Sequence, residues 1–370
     1  MNGQWNTVYL PEICEIKTGK HDANHAVNNG KYRFYTCSSE FSMCDTTSFS
    51  GESVIVPGNG DIGLVFYYNG DFDAYQRTYV LNNIKINAKF LYYHMLHNWR
   101  SRNENKQFGS TIRYVRMSNF TNYTISFPAS YEQQRIVDKI EDLFSKLDKG
   151  VEELNKIKEQ LKIYRQAVLK EAFESDMECK PLGDISSSRL GKMLDKNKNR
   201  GEYRPYLRNI NVRWMNFDLC ELLDMKIEES ELEKYTVKKG DLLVCEGGEP
   251  GRCAVWNMDY DICYQKAIHR IRFNMDTNPK FYMYYFYYMA QIGELSKYFT
   301  GMGIKHLTGE SLKKVPVPIL EMDAQQSILK CIEQKLSVCD KIEQTVNESL
   351  QKAESLRQSI LKQAFEGKLV

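Results

Sequence analysis

RQAVLKEAFE at 165–174 and RQSILKQAFE at 357–366 share seven of ten residues at an offset of 192. The same offset carries Gln133-Gln134 onto Gln325-Gln326, Ile136 onto Ile328, Ile140 onto Ile332 and Asp148 onto Asp340. Two copies of one segment therefore occupy 131–174 and 323–366, and a repeat of this kind organises everything around it. In the first copy Ile140, Leu147, Leu154, Leu161 and Val168 recur every seven residues, with Ile136, Leu143, Ile157 and Tyr164 in a second row. In the second copy Ile332, Cys339, Val346, Ala353 and Ile360 match the first row, and Ile328, Ile342 and Leu356 fill the other. Apolar heptads with Lys and Glu between them predict long helices. Each would be ~66 Å long at 1.5 Å per residue. Such a helix cannot bury its seam alone, so the two copies are expected to pair as an antiparallel coiled coil.

Working outward, each helix follows a mixed segment, and the two segments match weakly. GESVIVPGNGDIGLVFYY at 51–68 and GDLLVCEGGEPGRCAVWN at 240–257 each read as strand, Gly-rich turn, strand. Tyr75-Gln76 and Tyr264-Gln265 come next, then strands ending in LNNIKI and IHRIRF. Aromatic helices follow, FLYYHMLHNW at 90–99 and FYMYYFYYMA at 281–290, then the loops GSTIRYV at 109–115 and GMGIKHL at 301–307. Gly109, Gly301 and Gly303 are expected to serve tight turns. The expected fold is mixed α/β with a pseudo-two-fold internal repeat: a domain at 1–130, a helix at 131–178, a domain at 179–322 and a helix at 323–370.

Several chemistries are missing. No Pro-Pro occurs, so the Asn/Asp-Pro-Pro-Tyr/Phe loop of an amino-methyltransferase is absent. Gly58–Gly63 joins two strands instead of opening a helix, which fails the context of a dinucleotide loop, and no phosphate-cradling Gly-x4-Gly-Lys-Ser/Thr exists. Asp241 and Glu246 lack the lysine of a nuclease set. His94 and His97 have no acidic partner at ligand spacing, and none of the ten cysteines forms Cys-x-x-Cys. No cofactor or metal is expected, and the chain reads as non-catalytic. No apolar run spans a membrane and the start lacks a signal-peptide pattern, so reduced thiols in the cytoplasm are expected. The net charge of +2 resolves into +2, −3, +3 and 0 over the four regions. Residues 189–213 alone carry net +6, through Arg189, Lys192, Lys196, Lys198, Arg200, Arg204, Arg208 and Arg213 against Asp195 and Glu202. That predicts a phosphate-facing patch.

Over nearly its whole length the chain resembles the specificity subunits of Type I restriction-modification systems. YRFYTCS at 32–38 and IVPGNGDIG at 55–63 look like their first target-recognition domain, and YRPYLRNINV at 203–212 and KGDLLVCEGG at 239–248 like the second. PASYEQQRIVDKIEDLFSKLD at 128–148 and DAQQSILKCIEQKLSVCD at 323–340 look like the entries to the conserved helices. The chain is shorter than the family's common pattern, and its first domain starts almost at Met1. The resemblance implies that each domain reads one half of a split double-stranded DNA target and that the paired helices set the gap. It also implies two modification subunits, which carry the methyltransferase chemistry and S-adenosylmethionine, and a restriction subunit. The competing readings are the specificity chain of a bifunctional nuclease-methyltransferase system and a coiled-coil scaffold with no DNA role.

Base edges and phosphates are met by Arg, Lys, Asn, Gln and Ser from loops and helix ends. The candidates in the first domain are Lys20, Arg33, Ser38, Arg77, Ser110, Thr111, Arg113 and Arg116. In the second they are Arg189, Lys192, Arg204, Arg208, Asn209, Arg213, Lys266, Lys305 and His306. Arg113 with Lys305, and Arg77 with Lys266, are expected at matching places.

Overall fold

The computed structural model describes residues 5–109, 111–195 and 197–370. They form two compact units, one of 1–155 with 347–370 and one of 156–346.

In the first unit, the run Val54-Ile55-Val56 is buried on both faces, as β-branched residues in a central strand should be. It lies in a four-stranded antiparallel sheet ordered Glu15–Thr18, Thr78–Asn82, Glu52–Pro57, Phe66–Asn69. A three-stranded sheet pairs Tyr32–Tyr35 antiparallel with Ser42–Cys44 and parallel with Phe72–Ala74. The strand Thr124–Phe127 pairs with Asn6–Tyr9 and leads into the long helix Ser130–Phe173.

The aromatic helix Ala88–Asn103 packs its Phe90, Leu91, Met95 and Trp99 into the main core. Asn87 caps it, its side chain accepting from Phe90 N at 3.0 Å. The same core takes Ile136, Val137 and Ile140 from one long helix and Ile360, Leu361 and Ala364 from the other. Phe365 lies against Phe90 and His94, with ring centroids 5.4 and 5.1 Å apart. The first unit's core is thus closed by a segment far along the chain.

The second unit repeats the plan. Its antiparallel sheet runs Ser186–Leu190, Ile268–Phe273, Leu242–Cys245, Cys253–Val255. Its other sheet pairs Glu202–Leu207 parallel with Ile262–Tyr264, flanked by Leu223–Ile227 and Thr236–Val237. The aromatic helix Pro279–Gln291 buries Phe281, Tyr282 and Phe286 completely, as core residues and not as stacking platforms. Against it lie Val168, Leu169 and Phe173 of one long helix and Leu329 and Ile332 of the other, Met322–Phe365.

Two repeated details explain the duplication. Gln133 and Gln325 are buried. Gln133 Oε1 accepts from Asn87 N at 3.0 Å while its Nε2 donates to Pro128 O at 2.8 Å. Gln325 does the same with Asn278 N and Leu320 O, at 3.0 and 2.8 Å. Each glutamine satisfies a helix-start N–H and a strand-end carbonyl that would otherwise be buried unpaired. The repeated Arg and Asp meet across the copies: Arg357 with Asp148 in the first unit, and Arg165 with Asp340 at 2.8 Å in the second. Because the arginine lies late in one copy and the aspartate early in the other, the pairing is antiparallel in each unit.

The first heptad row holds Ile140, Leu161, Val168, Ile332, Cys339, Val346 and Ile360 buried. The second row differs from expectation, since Tyr164, Ile342 and Leu356 are exposed. One facing helix covers one stripe, and the second row turns outward where no domain lies against it. Among the described residues no helix is long and apolar enough to cross a membrane, and all ten cysteines are unpaired.

Candidate nucleic-acid interface

Three loops meet at one edge of the main sheet in the first unit, tied by backbone bonds. Gly58 N donates to Arg77 O at 2.9 Å, Val115 N to Gly58 O at 2.8 Å, and Gly60 N to Arg113 O at 3.2 Å. They enclose a cavity of about 420 Å³ lined by Gln76, Arg77, Tyr114 and Arg116 with Gly58, Tyr79 and Val115. The second unit makes the same knot: Glu246 N donates to Ala267 O at 2.9 Å and Leu307 N to Glu246 O at 2.8 Å. In both, the third loop closes on itself, through Phe108 with Tyr114 and Thr300 with His306. Gly109 and Gly301 open these loops at φ +88 and +93, conformations that an L side chain resists, whereas a Cβ added at Gly303 would face open space.

This knot aligns the two units residue by residue. Val115 matches Leu307, so Arg113 matches Lys305, as expected. Arg77 instead matches Ala267, and Lys266 falls one place earlier, opposite Gln76. Gln76 N donates to His21 O, and Lys266 N to Lys192 O, which confirms that register. Matching Tyr75-Gln76 to Tyr264-Gln265 misplaced the pair by one residue, because Tyr75 stands in the place of Gln265.

Arg77, Arg113, Lys266 and Lys305 are exposed, and none belongs to an ion pair among the described residues. Lys20 is exposed one residue before His21, which bridges to Tyr75 beside this platform. Ser38 is exposed next to Cys37, whose thiol approaches Arg77 O at 3.7 Å. Arg116 is exposed but poised, its guanidinium 4.0 Å from the Phe108 ring and 2.9 Å from Tyr114 Oη. Thr111, Arg189 and His306 are exposed as well. Ser110 and Lys196 lie outside the described residues.

Other candidates are already engaged. Arg33 is clamped between Phe41 and Tyr68, 4.4 Å from each ring. Lys192 is buried and ion-paired to Glu231. Arg204 pairs with Glu202 and Glu229 at 3.2 Å, Arg208 with Glu221 at 3.2 Å, and Arg213 with Asp218 at 3.3 Å. Asn209 donates to Gly247 O at 3.3 Å, close to the knot. Four of the eight cations in the basic window 189–213 are thus matched by acids from 218–231, which a count inside the window could not include. Asp241 is buried and held in a two-pronged pair by Arg272 at 2.7 and 2.8 Å, so it is structural. His94 is buried and bonded to Tyr123 Oη at 3.2 Å, a core histidine.

The model for the Type I restriction modification DNA specificity domain matches residues 2–161 and 174–352. The chain belongs to that family. Within the specificity family, the chain is 29% identical to the EcoDI specificity subunit of Escherichia coli, over 99% of this chain and 88% of the relative. It is 24% identical to the EcoBI specificity subunit of the same species, over 86% and 74%. A chain solved in a study of assembly and conformational transition of the type I R-M system superposes with a TM-score of 0.79 at 16% identity, over 99% of this chain and 98% of that one. The HsdS subunit from Thermoanaerobacter tengcongensis gives 0.61 at 17%, over 100% and 98%. At these identities both bear on the fold alone.

Two residues escaped the sequence reading. Ile112 and Ile304 are exposed at 61% and 76%, each immediately before the matching Arg113 or Lys305. They stand at the 192-residue offset, and that coincidence of an apolar residue in a polar loop was the available signal.

Proposed function

We propose that the chain reads a bipartite double-stranded DNA sequence, one half-site per domain, with residues 1–130 and 179–322 as the two target-recognition domains. The observation that carries this reading is the repeated three-loop knot, which presents Arg113 and Lys305 at matching positions beside exposed apolar tips. Arg and Lys suit guanine edges and phosphates, and Ile112 and Ile304 suit the thymine methyl group. Two diverged domains suit an asymmetric target better than a palindrome. Lys20, Ser38, Arg77, Thr111, Arg116, Arg189, Lys266 and His306 supply the surrounding contacts.

The chain is a non-catalytic cytoplasmic partner of two modification subunits, which methylate adenine with S-adenosylmethionine, and of a restriction subunit. Docking of a modification subunit is supported by Ile163, Tyr164, Val338 and Ile342, apolar residues exposed on the long helices of the second unit. The helices act as the ruler between half-sites.

The test is methylome sequencing of a host that expresses this chain with a cognate methyltransferase. A methylated motif in two parts with a fixed gap is expected. Methylation without sequence preference, or methyl transfer by the purified chain alone, overturns the reading.

A further inference from the structure

We propose that His21, His25 and Asp73 form a binding site for a divalent transition metal of the zinc class in the first domain. One ligand atom from each lies within 4.8 Å of the others. His21 and His25 are four residues apart, His25 ending the short turn Ala23–His25 and His21 preceding it, and their rings stack with centroids 3.7 Å apart. His21 Nε2 is 3.3 Å from Asp73 Oδ2. Thr46 Oγ1 joins the set, 2.7 Å from His25 Nε2 and donating to Asp73 Oδ2 at 2.7 Å.

The carboxylate makes the case. The Asp73 side chain has no solvent exposure. Among the described residues its ion-pair partner is His21 alone, and its other oxygen accepts only from Ala74 N at 2.8 Å. A buried carboxylate is costly without a full positive charge beside it. No Lys or Arg is paired with it, whereas two imidazoles face it. Two neutral imidazole nitrogens and one carboxylate oxygen are the donors of a three-ligand zinc site, with the fourth position left for the Thr46 hydroxyl or water.

The cluster is no requirement of the fold. In the second unit the strand Ile262–Tyr264 carries Cys263 in the place of Asp73, as the parallel registers of Phe34 with Asp73 and Tyr206 with Cys263 establish. Lys192 there follows Gly191 as Lys20 and His21 follow Gly19, and it pairs with Glu231 instead. One domain therefore meets its internal charge with a lysine, and the other offers a ligand set. A metal here pins the 21–25 turn, which adjoins Lys20, to the strand Phe72–Ala74.

The experiment uses the full chain and does not depend on DNA binding. The protein is loaded with Zn²⁺, desalted and assayed for metal. In parallel, Co²⁺ is added and its visible absorption is recorded. About one equivalent of retained zinc and a tetrahedral Co²⁺ spectrum are expected. His21→Ala and His25→Ala weaken binding at least tenfold, on the order set by loss of metal-site contacts. Asp73→Asn gives the same loss, and circular dichroism of each variant verifies that it is folded. A parent that retains no zinc, a Co²⁺ spectrum without tetrahedral bands, or a folded His25→Ala variant that binds like the parent overturns the proposal.

Discussion

At the residue scale, position and exposure separate side chains that share a charge. Lys266 stands on the turn of the second unit that corresponds to Gln76 of the first, and Arg113 on the loop that closes the first unit's knot. Lys266→Ala is expected to weaken DNA binding about equally for all sequences and to lower the salt slope by about 1. Arg113→Ala is expected to cost about 1–3 kcal/mol on the proper site and to relax the half-site motif at one position. Binding titrations at several salt concentrations, with matched and mismatched duplexes, read both effects; equal loss on both duplexes for Arg113→Ala would remove it from base reading. The candidates at 204, 208 and 213 were legible as cations but not as paired ones, because Asp218, Glu221 and Glu229 reach them from loops and a turn later in the chain. His94 makes the first unit sensitive to acid. Burial, helped by Arg102 and His97, pushes its pKa down to about 3, against about 6.5 in an unfolded chain. Between these values the unfolded state binds more protons, so stability is complete above pH 6.5 and falls as pH drops toward 3. The slope reaches about 1.4 kcal/mol per pH unit. Urea midpoints at pH 7 and 5.5 should fall more for the parent than for His94→Gln, and equal falls would assign the acid sensitivity elsewhere.

At the element scale, the duplication was legible before any coordinate, and so were both long helices and both aromatic helices. Heptad spacing and a near-identical ten-residue segment leave little freedom. The meaning of Gln133 and Gln325 was not legible, since a glutamine pair on a helix reads as solvated surface. Their burial comes from the aromatic helix docking over them. Gln133→Leu leaves Asn87 N–H and Pro128 C=O unpaired, and should cost about 1–3 kcal/mol. The neighbouring Gln134 is exposed, accepting from Asn87 Nδ2 at 2.8 Å, and Gln134→Leu should stay within about 0.5 kcal/mol. Chemical denaturation of the two variants decides it, and similar losses would refute the latch. The outward face of the second heptad row was likewise hidden, because periodicity marks apolar rows without saying what covers them.

At the scale of the whole molecule, the ruler proposal gives the sharpest test. Seven residues inserted after Leu154, with seven more after Val346, keep the heptad phase and fall where the chain passes from one unit to the other. Each helix lengthens by ~10.5 Å, which corresponds to about three base pairs along DNA. Methylome sequencing should return the parental half-sites with a wider gap; the parental gap in an active variant would end the ruler role. The order in which the two units are completed has a further consequence, for the chain's synthesis. The first unit needs Ile360, Leu361, Ala364 and Phe365 in its core, and residues 156–346 must all be translated before them. At about 5–20 residues per second the ribosome takes roughly 10–40 seconds over that stretch. Throughout that time the rings of Phe90 and His94 that meet Phe365 stay without it on the nascent chain. The domain made first is therefore the domain finished last, and its unfinished core gives chaperones a window in which to bind.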